Sequence, residues 1–217
     1  MSGFLAVNAV SRALRRVLWS AFDADPGPLR SLVGDEQAIV FDNPTETARN
    51  PSRRLSIWLY RITENEFMRN NAEPLGARND RRRAAPQPLD LSYLITPFTG
   101  SGENDQLLLG KTLQVLHDNP TIFVQEPLNQ VTEELRVLFC RLPLEEVTRI
   151  WEALREPYRL SLCYDVRVVR IDSDREVPIE RVLQIDVRAD PDLADLDLAD
   201  LDRADLERTG IGAEPHP

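Results

Sequence analysis

Two histidines, two cysteines, a few serines and some closely spaced carboxylates are the residues of this 217-residue chain that could do chemistry. A hydrolase would use His117 as general base for Ser92 or Ser161, because a serine hydroxyl attacks only when a nearby base takes its proton. Neither serine sits in a local nucleophile motif. His117 stands at the expected end of a helix, where an imidazole interacts favourably with the helix dipole. His216 lies in the last two residues. Glu64 and Glu66 flank Asn65, and on a strand that spacing places two acids on one face, as an acid pair requires. The same pair on a solvated edge discourages strand pairing. Cys140 and Cys163 both fall in expected strands, where a small buried hydrophobe is the default. Two cysteines make no disulfide framework in a chain this long. The sequence contains no Walker loop, HExxH, paired CxxC or EF-hand pattern. Tail acids without a glycine-turned loop would hold Ca²⁺ only unspecifically. The expectation is a protein that is not an enzyme, with no cofactor and no metal.

Charge points to surfaces instead. The net charge is −10, but residues 172–217 hold 14 acids and 5 Arg, while residues 1–171 hold 22 acids and 21 bases. The body is therefore nearly neutral and the tail carries the imbalance. A neutral body argues against nucleic-acid binding, which needs a dense basic footprint. Of the 26 basic residues only Lys111 is not Arg. Arg suits packed, bidentate interfaces, although genomic codon bias produces the same excess. Arg12, Arg15 and Arg16 interrupt the first apolar pattern, so it does not read as a signal peptide. No apolar run is long enough for membrane insertion. These features imply cytoplasmic assembly.

The elements alternate in type. Ser2 is an expected N-cap for a helix over Gly3–Phe22, with Val7, Val10, Leu14, Val17, Leu18 and Ala21 on one face. A short strand is expected at Ile39–Phe41, and a loop at Asn43–Ser52. In Leu55–Asn70, Leu55, Ile57 and Leu59 point one way and Trp58, Tyr60 and Ile62 the other. This reads as a central strand that needs cover on both faces. Ala72–Pro88 reads as a long exposed connection. Leu89–Pro97 follows as a strand, then a helix from Ser101 or Gly102 to His117, with Leu108, Leu109, Thr112, Leu113 and Leu116 buried. Thr121–Val131 is ambiguous. Glu133–Leu142 reads as a strand with Leu135, Val137 and Phe139 on one side. Pro143 opens a helix with Val147, Ile150, Trp151 and Leu154 on one face. Tyr158–Ile171 reads as a strand, with Tyr158, Leu160, Leu162, Tyr164, Val166 and Val168 facing the core, and Val182–Arg188 as a further one. The fold class is α+β: a mixed, largely antiparallel sheet flanked by about three helices. Residues 1–188 form one domain. Residues 189–217 form an acidic tail whose four pentapeptide-like repeats are too few to build a stacked coil.

Leu55–Asn70 (LSIWLYRITENEFMRN), Leu89–Thr96 (LDLSYLIT), Leu108–Asp118 (LLGKTLQVLHD) and Leu144–Ala153 with Pro157–Val169 occur in that order. In this the chain resembles the cap, or tail-terminator, proteins of extracellular contractile injection systems, over about residues 3–187. The resemblance implies a phage tail-terminator-like fold and a structural protein. It implies a homohexameric ring that docks on the inner tube protein and the sheath protein of a phage-tail-like particle and ends their growth. Ring subunits need heterologous contacts, supplied by exposed aromatics and Arg. The candidates are Trp58, Tyr60, Phe67, Arg78, Arg81, Arg82, Arg83, Arg159 and Arg167. Edge strands would accept extended arms from sheath subunits, and Tyr158–Ile171 and Val182–Arg188 are the expected edges. The alternative is an adaptor that tethers the particle to another component through its acidic tail.

Overall fold

The structure is a computed structural model and describes residues 3–68, 81–83, 86–125, 132–171 and 176–178. The chain divides into two units, Met1–Ile179 and Glu180–Pro217. The second unit lies outside the described residues, and with it the expected strand Val182–Arg188, the acidic repeat and the expected boundary after residue 188. In chain order the elements are α1 (Ala6–Asp23), α2 (Leu29–Val33), β1 (Ile39–Val40), α3 (Pro44–Ala48), β2 (Leu55–Glu64), β3 (Arg81–Arg83), β4 (Gln87–Pro97), α4 (Gly102–Asp118), β5 (Thr121–Gln125), β6 (Thr132–Phe139), α5 (Leu144–Leu154), β7 (Leu162–Ile171) and β8 (Glu176–Pro178).

Six strands form one sheet in the order β1-β2-β4-β7-β6-β5. Only the two-residue β1 is parallel to its neighbour; the other pairs are antiparallel. β3 and β8 pair with each other, Arg83 opposite Glu176, on the chain segments that lead into β4 and out of β7. The connection expected over Ala72–Pro88 thus contains a strand and the start of β4.

Three long helices match the expected pattern, and two five-residue helices, α2 and α3, join them. α3 has its own local signal. Asn43 caps it by accepting from the Glu46 N–H at 2.8 Å, with Pro44 at the first position. α1 begins at Ala6, after a 3₁₀ turn and without a side-chain cap; Ser2 lies outside the described residues. Ala6, Val10, Leu14, Leu18 and Phe22 recur every four residues and are buried, forming the apolar stripe that an amphipathic helix lays on a core. With Leu108, Leu109 and Leu116 of α4 they cover one face of the sheet, against Leu55, Ile57, Leu91, Tyr93, Ile95, Val166 and Val137. Ser11 Oγ and the Tyr93 hydroxyl lie 2.9 Å apart within this layer.

β2 is not the central strand. β4 and β7 are, each with a long strand on both sides, whereas β2 is second from the edge. For the same reason β7 is not an edge. Tyr158 and Leu160 also leave the core: the strand starts at Leu162, and they stand 49% and 52% exposed before it.

Two bulges break the strict alternation. Leu59 pairs with Tyr93 and Arg61 with Ser92, so Tyr60 is an extra residue. Leu91 pairs with Val166 and Leu89 with Val169, so β7 also carries one extra residue. One inserted residue moves all later side chains to the opposite face. Ile62 therefore lies opposite Leu91, on the α1 side of the sheet, and not beside Trp58. Val169 is the buried partner of Leu89. Both bulges face the same stretch of β4, Leu89–Tyr93.

Candidate functional site

The second face of the sheet carries most of the candidates. α5 covers one part of it. Glu145 and Glu146 stand in its first turn, where acids favour the helix dipole, and Arg155 ends it in the left-handed conformation (φ 57°). Its stripe brings Trp151, 2% exposed, onto Leu94 and Cys163, and Trp58, Tyr60, Cys140 and Leu142 pack around that contact. The Trp58 and Tyr60 rings stand 6.1 Å apart, and Trp151 meets the Tyr158 ring edge-on at 6.3 Å. Trp58 and Tyr60 are thus half-buried within the chain itself. Burial pushes the Tyr60 hydroxyl up to about 12, and burial likewise pushes the Cys163 thiol up to about 12. A thiol so far from ionisation is a packing group, since the thiolate is the reactive form. Cys140, half-buried one residue past β6, is also shifted upward by burial.

Beside α5 runs a polar strip at the level of the bulges. Ser92 Oγ donates to Asp165 at 2.7 Å, Asn65 Nδ2 donates to Asp90 at 3.0 Å, and Arg167 Nε is 3.9 Å from Asp90. Arg61 reaches Ser92 Oγ only at 3.5 Å. Ser92 therefore spends its proton on a carboxylate. His117 lines a pocket on the opposite face with Val137 and Tyr164, and Ser161 donates to the Arg159 carbonyl at 2.8 Å. The serines and His117 of the hydrolytic reading do not meet. Glu64 and Glu66 do not share a strand face either: β2 stops at Glu64 and a 3₁₀ turn over Glu66–Met68 follows.

Phe67 sits in that turn and is 98% exposed. The turn is held from below by Asn65, itself 8% exposed. The Asn65 N–H donates to Pro88 O at 2.9 Å, and Asn65 Oδ1 accepts from the Phe67 N–H at 3.1 Å. Arg159 lies toward the other end of the sheet, its guanidinium 5.2 Å from the Phe98 ring centroid. Arg81, Arg82 and Arg83 form β3; Arg78 lies outside the described residues. The candidates thus fall on separate elements: Trp58 and Tyr60 beside α5, Arg167 in the polar strip, Phe67 in the turn after β2, Arg81–Arg83 on β3 and Arg159 near Phe98.

Sequence reasoning missed one surface. A pocket of about 570 Å³ opens between α4 and the end of β6, lined by Leu113, Leu116, His117, Val137, Phe139 and Tyr164. Leu113 and Phe139 are 37% and 52% exposed there, although each fits the apolar period of its element. The edge-on contact of Phe139 with Tyr164, 5.3 Å between centroids, fixes one wall.

Among the described residues no cluster of His, Cys, Asp and Glu could hold a metal ion, and no helix is long and apolar enough to cross a membrane. No curated protein sequence matches the chain. Solved structures do. The chain is similar to the sheath/tube terminator of the PVC extracellular contractile injection system in its extended state, with TM-score 0.56 and 19% identity over 95% of this chain and 72% of that one. It is also similar to the tube-terminating cap of the anti-feeding prophage, with TM-score 0.52 and 20% identity over 83% of this chain and 60% of that one. At such identities the likeness establishes a shared fold. Residues 9–185, which hold both sheets, the exposed turn and all but the first residues of α1, match the Pvc16 N-terminal domain family, and the chain belongs to that family.

Proposed function

We propose that this protein is the terminating cap of a contractile injection particle: a structural ring subunit, not a catalyst, that docks on the last tube and sheath layers and stops their growth. The observation that carries this reading is the fold shared with a sheath/tube terminator over 95% of the chain. The dispersed apolar and basic surfaces support it, because a ring subunit meets two neighbours and the tube end at once. A homohexamer assembled in the cytoplasm and carried on a released or retained particle is the form we propose. Negative-stain images of the purified chain are expected to show closed rings of uniform size. A deletion strain is expected to make tubes and sheaths of uncontrolled length. Monomeric protein together with normal-length particles in that strain would refute the reading.

The charge split supports a separate role for residues 189–217, a tail dispensable for the fold. Truncation after Arg188 is expected to leave rings and thermal stability unchanged while removing capture of any partner that reads the acidic repeat. If particles and their attachments are unaltered, the tethering role is lost and the cap role stands.

A further inference from the structure

We infer that Phe67 of one copy seats in the apolar pocket of the next copy, so that the turn after β2 and the α4–β6 pocket are the two halves of one heterologous contact. The inference rests on the ring reading above and names the contact that closes the ring.

The geometry of a single copy points to it. A phenylalanine 98% exposed on a turn whose N–H donates to a buried Asn65, itself anchored on Asp90, is presented outward rather than left loose. The pocket, about 570 Å³, is large enough for an aromatic ring, and its walls of Leu113, Val137, Phe139 and Tyr164 suit one. Phe67 cannot fill the pocket of its own subunit. The turn follows β2 and the pocket borders β6, three strands across the sheet, which is roughly 14 Å at the usual strand spacing. They lie on opposite flanks, and that is the disposition a head-to-tail contact needs to repeat around a ring. Charge permits the approach. Glu66 neighbours Phe67 in the turn, while among the described residues no carboxylate lines the pocket and His117 does.

The test places the photoreactive residue p-benzoylphenylalanine at position 67 of the full chain, irradiated as purified protein and again in particles made with the tube and sheath components. Crosslinks are expected to join two copies and to map to peptides containing 113–120 or 137–139. Phe67→Ala and Leu113→Glu are each expected to weaken self-association about tenfold or more, and the double variant no further than either alone. Leu113 is part-exposed, so its variant folds, which circular dichroism checks. Crosslinks to a tube or sheath chain, to another part of the neighbour, or none from intact rings would overturn the assignment and leave the cap reading intact. A chain that neither self-associates nor enters particles overturns the cap reading itself.

Discussion

Trp151→Ala is expected to cost about 3–5 kcal/mol of folding stability, the range for removing a fully buried large aromatic, and to lower Tm by roughly 10 °C. Trp151 is the side chain by which α5 holds the sheet. Leu94 and Cys163 beneath it are 0% and 5% exposed, and Trp58 and Tyr60 lean on the same contact. Deleting the indole leaves a cavity and frees a helix whose only fully buried residue is Trp151. Trp151→Phe separates packing from polarity. The indole Nε1 is buried with no hydrogen-bond partner among the described residues, so replacing it with a ring that has no N–H removes a desolvation penalty. The phenylalanine variant is expected within about 1–2 kcal/mol of the parent. Urea unfolding followed by far-UV circular dichroism measures both. An alanine variant within about 1 kcal/mol of the parent would show that α5 is held elsewhere.

The period of the apolar residues made α1, α4, α5 and the strands β2, β4 and β7 legible in the sequence, because each buries one stripe or face along most of its length. Pairing order was not legible. β2 has apolar residues on both faces because α1 covers one and Trp151 the other, and a strand second from the edge meets that condition as well as a central one. The bulge at Tyr60 was not legible either. It moves Ile62 across the sheet without altering composition. Leu113 and Phe139 keep their period and still line an open pocket, since periodicity reports direction and not whether a neighbour reaches that far. Phe67 differs. A lone aromatic in the polar run Thr63–Asn70 has no apolar stripe to join, so periodicity gives it no place in the core. Its 98% exposure separates it from Trp58 and Tyr60, which composition alone makes equivalent.

Raising the pH is expected to unload the core beneath α1. Tyr93 is 0% exposed, and burial pushes its hydroxyl up to about 12 from the ordinary 10.0, against a smaller opposing effect of the Ser11 hydrogen bond. The folded protein therefore keeps the phenol neutral where the unfolded chain already ionises it. Stability is full below pH 10 and falls as the pH rises from 10 to 12, by about 3 kcal/mol for this one group. Cys163, shifted from 9.0 to about 12, acts in the same direction and begins near pH 9. Tyr93→Phe isolates the tyrosine's share. At pH 7 the variant is expected to be about 1 kcal/mol less stable, because Ser11 loses its partner at 2.9 Å but keeps the Val7 carbonyl at 3.3 Å. Between pH 10 and 12 its stability falls less steeply than that of the parent, and the two curves cross. Urea midpoints at half-unit pH steps trace both curves. Tyrosinate absorbance supplies a second reading, with Tyr93 of the folded parent ionising near pH 12 rather than near 10. Parallel curves for the two proteins would place the alkaline loss on other groups and remove Tyr93 from the account.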